Sequence, residues 1–259
     1  MTKGSFPVIC SFKCLEDNVG VLLHDPDSGT TISIDAPDET AILDSLYGFG
    51  WGLDYICVTH HHWDHVAGVF PLKKRFGCRV IGPSGETSLI NGLDDLVMGN
   101  ARIQLGGIAF EIIDLPGHTS GQVGYGILVE GSVGIVFVGD ALFEMGCGRL
   151  FEGSPSDMWT SLKKLRSLPD DAVVYYGHDY GLKNCKFALS LEPDRKDLLT
   201  DLADMESNKA FRPNTTIGKE KRTNPFMRAD CEEVMDAVGL SGMAPELVFA
   251  ELRRRRDSF

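Results

Sequence analysis

Over its first 180 positions the chain alternates short apolar runs with turn-forming strings. Val19–His24 and Thr30–Ile34 are β-branched and apolar, and Asp25-Pro26-Asp27-Ser28-Gly29 between them reads as a hairpin turn. Asp38–Tyr47 carries Ile42, Leu43 and Leu46 on one face, which predicts a helix. Tyr55–Thr59 predicts a buried strand, Val66–Phe76 a helix and Cys78–Ile81 a strand. Ile108–Leu115, Val123–Val129 and Ile135–Val138 predict three further strands. A helix over Ser156–Leu168 follows, with Ser156 as N-cap and Pro169 as its stop, and then a strand over Ala172–Tyr176. Strand runs interleaved with helices imply a layered α/β sandwich, and no GxGxxG at a strand-to-helix turn supports a doubly wound sheet. Beyond Tyr180 the spacing turns helical, over Lys183–Ser190, Arg195–Asn208, Ala229–Val238 and Pro245–Arg255, with no strand pattern. The chain therefore divides into an α/β domain over residues 1–178 and a helical domain over 179–259.

The bulk composition narrows the function. A net charge of −12 disfavours non-specific nucleic-acid binding. No run reaches the roughly 18 apolar residues of a membrane span, and Met1–Cys10 lacks the apolar core of a signal peptide. Seven scattered cysteines without a CxxC imply free thiols in a reducing compartment, so a cytoplasmic location is expected. A monomer is expected too.

The chemistry concentrates in Thr59-His60-His61-His62-Trp63-Asp64-His65, directly after a buried strand. In an extended segment His60 and His62 point to one side and His61 to the other. His60 and His62 can share a metal, and Asp64 and His65 can reach a second one beside it. Three more strand ends present polar groups, at Gly117-His118, Gly139-Asp140 and Gly177-His178. Together these positions supply five histidines and two aspartates, too many for one tetrahedral site and suited to two metals with one bridging carboxylate.

These motifs resemble the metallo-β-lactamase superfamily, whose fold is an αβ/βα sandwich with a metal cleft at one edge. Within it the chain is similar to the glyoxalase II, or hydroxyacylglutathione hydrolase, family. The closer match rests on the first motif, on Gly146-Cys147-Gly148-Arg149-Leu150-Phe151-Glu152-Gly153, on Gly177-His178-Asp179-Tyr180 with Asn184 and Phe187-Ala188, and on Asn224-Pro225-Phe226-Met227-Arg228. The resemblance implies that His60, His62 and His118 hold one metal, that Asp64, His65 and His178 hold the other, and that Asp140 bridges them. Asp64 and Asp140 are the carboxylates expected to serve catalysis. It implies two metal ions per chain, Zn foremost, with Fe or Mn suited to the same donors. It implies that Arg149, Phe151, Tyr180, Arg253 and Arg256 contact a small glutathione thioester. Phe151 stands where the family commonly has Tyr, and Ala67-Gly68 stands for its usual Gly-Gly.

The implied reaction is hydrolysis of S-D-lactoylglutathione to glutathione and D-lactate, a step of methylglyoxal detoxification. A hydroxide shared by two cations is expected to attack the thioester carbonyl. A cationic pocket on a chain of net charge −12 fits a substrate with two carboxylates. The rivals are a lactonase, β-lactamase or tRNA-processing nuclease of the same superfamily, a one-iron persulfide dioxygenase, and a non-catalytic metal-binding scaffold. The helical tail, His178 and the complete donor set speak against them respectively.

Overall fold

The computed structural model describes residues 6–259, so the first half of the stretch read as lacking a signal peptide, residues 1–5, lies outside the described residues. The chain forms two compact units. One runs to Asp114 and adds Gly121–Gly139; the other joins Leu115–Ser120 to Asp140–Phe259.

The first unit opens with a six-stranded sheet of β1 (Val8–Cys14), β2 (Asn18–His24), β3 (Thr31–Ile34), β4 (Tyr55–Cys57), β5 (Arg79–Pro83) and β6 (Asp95–Val97), in that order. The first two pairings are antiparallel and the next three parallel. Parallel neighbours need crossovers. Here they are α1 (Glu39–Phe49) between β3 and β4, and α2 (Trp63–Val66) with α3 (Val69–Phe76) between β4 and β5. The Asp38 carboxylate caps α1 by accepting from Thr40 N at 3.0 Å, and Gly50 ends it in the left-handed region. Ile42 and Leu46 of α1 and Val69 and Leu72 of α3 pack with Leu22, Ile56, Val58 and Val80 of the sheet side. A second, antiparallel array follows, of β7 (Arg102–Leu105), β8 (Ile108–Asp114), β9 (Val123–Val129) and β10 (Ser132–Phe137). Buried Tyr125 of β9 ties the two arrays together, its hydroxyl donating to Val58 O at 2.8 Å.

The second unit contains a small hairpin of β11 (Leu142–Phe143) and β12 (Gly146–Cys147), then α4 (Pro155–Arg166) and β13 (Val173–Tyr175). It continues with α5 (Gly181–Leu191), α6 (Lys196–Asn208), β14 (Asn214–Thr216), α7 (Ile217–Thr223), α8 (Glu232–Val238) and α9 (Pro245–Asp257). Two expectations are corrected here. The N-cap of α4 is Ser154, not Ser156: Ser154 Oγ accepts from Asp157 N while Asp157 accepts from Ser154 N, and Pro155 suits the first helical position. The region after Tyr180 also holds a strand, β14, paired antiparallel with β13. Asn-Thr-Thr has no apolar alternation, and its pairing partner supplies what its own pattern lacks.

Glu220 of α7 is fully buried and organises this unit. It accepts from Met145 N, Thr215 Oγ1 and Asn224 Nδ2, each at 2.8 Å. Burial pushes its carboxyl from 4.5 up to about 7. The folded chain thus holds a proton there that the unfolded chain releases, so stability falls as pH rises from 4.5 to about 7. Glu220→Gln removes the charge, keeps one oxygen to accept from Met145 N and Asn224 Nδ2, and turns the third bond round, its amide N–H donating to Thr215 Oγ1. Urea midpoints measured between about pH 5 and 8 are expected to fall less in this variant than in the wild type. An unchanged slope would show that other groups set the dependence.

Candidate metal centre

In the first unit the chain leaves β4 at Cys57 and enters α2 at Trp63, so the histidine run occupies the turn between them. Asp35, at the end of β3, orients that turn. One of its oxygens accepts from Thr59 N at 2.7 Å, and the other from Thr59 Oγ1 at 2.9 Å and His65 Nδ1 at 2.8 Å. Because the Thr59 hydroxyl donates to Asp35, its oxygen receives the Nδ1 proton of His60, 3.0 Å away. One carboxylate therefore fixes the tautomer of two imidazoles and leaves the Nε2 lone pair of each for a metal. His60 Nε2 lies 3.2 Å from His62 Nδ1. Asp64 accepts from Asn18 Nδ2 at 3.1 Å and sits 3.9 Å from His65 Nε2. His61 turns away to the buried Glu86, Nδ1 to Oε2 3.0 Å, as expected of a residue that is not a ligand.

In the second unit Asp140 stands between two imidazoles. Its Oδ2 is 3.4 Å from His118 Nε2 and 3.3 Å from His178 Nε2. His118 donates from Nδ1 to Arg149 O at 2.8 Å, which again frees Nε2. Gly139 (φ 51°) and Gly117 (φ 144°) make the turns that deliver Asp140 and His118. Gly177 has no positive φ, so the turn before His178 does not depend on that freedom.

The donor sets fit metal ions. Tetrahedral ligands about 2.0–2.1 Å from one cation stand roughly 3.4 Å apart, close to the 3.2, 3.4 and 3.3 Å separations within the two units. His60, His62, Asp64 and His65 of the first unit, and His118, Asp140 and His178 of the second, are all residue types that ligate metals. Asp35 was not anticipated, although Ile32-Ser33-Ile34-Asp35 ends a strand in a carboxylate just as Val138-Gly139-Asp140 does. Asp35→Ala is expected to lower metal affinity about 10–100-fold, measured by competition with a chromophoric chelator. Wild-type affinity would remove the orienting role.

The five expected substrate contacts all lie in the second unit. Tyr180 stacks on His178, with ring centroids 5.0 Å apart and 3° between planes. Phe151 is exposed and meets the His118 ring edge-on at 5.3 Å. Arg149 is exposed, its Nε 3.6 Å from Asp257. Of the four terminal arginines, Arg254 and Arg255 bind Glu251, whereas Arg253 and Arg256 are buried. Arg253 donates to Cys147 O at 2.8 Å and lies over the Phe226 ring. Arg256 donates to Asn184 Oδ1 at 3.1 and 3.0 Å. Burial, and then repulsion from Arg253 and Arg149, holds the Arg256 guanidinium below its usual range, which marks the three as one cationic cluster. Burial pushes the Cys147 thiol up to about 11, so it is no thiolate nucleophile near neutrality.

Residues 27–178 match the metallo-beta-lactamase superfamily, and residues 179–259 match the hydroxyacylglutathione hydrolase C-terminus. The hydroxyacylglutathione hydrolase of Rhizobium meliloti (strain 1021) is 46% identical over 251 residues, covering 96% of this chain and 97% of that protein. The hydroxyacylglutathione hydrolase of Brucella ovis is 44% identical, with 96% of each chain covered. Among solved structures, ETHE1 from Myxococcus xanthus superposes with a TM-score of 0.66 at 25% identity, over 97% of this chain and 99% of that one. TTHA1623, in a di-iron-bound form, does so with a TM-score of 0.58 at 26% identity, over 86% and 100%. The fold is that of the metallo-β-lactamases, with mixed α/β sheets and a helical C-terminal region. By sequence and by fold, this chain belongs to the hydroxyacylglutathione hydrolase family, a family of thioester hydrolases within the metallo-β-lactamase superfamily.

Proposed function

We propose that this protein hydrolyses S-D-lactoylglutathione to glutathione and D-lactate, in methylglyoxal detoxification. His60, His62 and His118 would hold one metal ion and Asp64, His65 and His178 the other, with Asp140 as the carboxylate available to both. Zn is the first choice, with Fe or Mn accepted by the same donors. The chemistry that metal ions would supply there is a hydroxide at neutral pH and polarisation of the thioester carbonyl. Asp35 keeps His60 and His65 in the ligating tautomer. Asp64 is held against Asn18, so its carboxylate needs little reordering. Arg149, Arg253 and Arg256 draw in a carboxylate of the carrier, Tyr180 lies along its peptide part, and Phe151 covers His118. The thiolate leaves without a strong general acid.

One observation carries this reading. The second unit places a cationic cluster in the same fold unit as His118, Asp140 and His178, on a chain of net charge −12. Residues 1–178 then supply the metal donors together with Arg149 and Phe151, and residues 179–259 the rest of the grip on glutathione. All seven cysteines are free, which fits a reducing compartment such as the cytoplasm, and no described helix is long and apolar enough to cross a membrane. Loss of the thioester bond of S-D-lactoylglutathione is expected with metal-loaded protein and not after chelation. Arg253→Ala and Arg256→Ala are expected to raise KM. No turnover by fully metallated protein would sink the reading.

A further inference from the structure

Beside Tyr180 the second unit holds a cavity of about 470 Å³, a size suited to a small ligand. Lys183, Lys186, Lys209 and Arg212 line it, together with one carboxylate, Asp179, and apolar Leu182 and Met205. Two of the four cations are already matched: Lys186 lies 2.9 Å from Glu206, and Arg212 pairs with Asp204. Among the described residues no carboxylate lies within 4.0 Å of the Lys183 or Lys209 ammonium groups. Tyr180, one of the residues lining the cavity, stacks its ring on the His178 imidazole. On a chain of net charge −12, two unmatched ammonium groups facing a cavity with one acid among them are complementary to an α-amino acid head.

We propose that this cavity receives the γ-glutamyl head of the thiol carrier, with Lys183 and Lys209 on its α-carboxylate and Asp179 on its α-ammonium. The inference rests on the proposed hydrolase reading and extends it. The arginine cluster takes the glycyl carboxylate, and the cavity selects the other end of the carrier. Carriers without an amino acid head forgo this contact.

The test uses metal-loaded enzyme, S-D-lactoylglutathione and the truncated thioester S-lactoyl-cysteinylglycine. In the double variant Lys183→Ala, Lys209→Ala, KM for the full thioester is expected to rise about 10-fold with kcat unchanged, and KM for the truncated one to stay as in the wild type. Both lysines are exposed, so folding is not at stake. Asp179→Asn is expected to raise KM for the full thioester and not for its N-acetylated form. An unchanged KM for the full thioester, or an equal rise for both thioesters, overturns the proposal. Should neither thioester turn over, the hydrolase reading fails by itself. Calorimetric binding of S-methylglutathione that the double variant abolishes then still supports the cavity, and its absence in the wild type overturns it.

Discussion

Asp140→Ala is expected to cut kcat/KM by about 10³-fold or more, equivalent to about 4 kcal/mol of transition-state stabilisation. A single oxygen, Oδ2, stands 3.4 Å from His118 and 3.3 Å from His178, so the variant removes a donor beside both imidazoles at once. Elemental analysis after gel filtration is expected to find no more than one metal ion per chain. Loss of both metal and activity separates this outcome from a change in substrate binding, which leaves metal content alone. Near-normal turnover with both metals retained would remove Asp140 from the centre and reopen the assignment of all seven donors.

Arg228→Ala is expected to cost about 3 kcal/mol of stability and to lower Tm by roughly 10 °C, without changing kcat per folded molecule. Arg228 grips Glu192 with both guanidinium nitrogens, one of them at 3.0 Å, and both side chains are about nine-tenths buried. Removing the cation leaves Glu192 buried with only Arg195 beside it, 3.2 Å away. The double variant Arg228→Leu, Glu192→Leu is expected to recover part of the loss, because the penalty lies in the stranded charge. A thermal shift of the single variant within a degree or two of the wild type would refute this account. Asn224, from the same motif, donates to Gly146 O at 2.9 Å and accepts from Phe226 N at 3.0 Å. This motif, first met as a family signature, thus braces the loop that Arg253 also binds.

The donors were legible because strand ends place short polar motifs after apolar runs, and both halves of that pattern are local. The same locality made the buried strands and the α1, α4 and α9 helices readable. What escaped depends on distant neighbours. The strand β14 exists through its pairing with β13, and Asn-Thr-Thr alone gives no sign of it. Asp35 gains its role only when β3 and β4 lie side by side, 24 residues apart from Thr59 in sequence. Of Arg253 to Arg256, the helical turn puts the first and last inward and leaves Arg254 exposed, a split that four identical residues in a row do not show. The cap of α4 moved by two residues because Ser154 has a carboxylate three residues on to complete the box.

The sharing of Asp35 has a consequence for how the centre fills. Its carboxylate holds His65 directly and His60 through Thr59, and these imidazoles belong to different proposed metal positions. A metal ion held at either proposed position would order that carboxylate and, with it, a ligand of the other. Loading of the proposed centre would then be cooperative, and half-filled molecules are expected to be scarce.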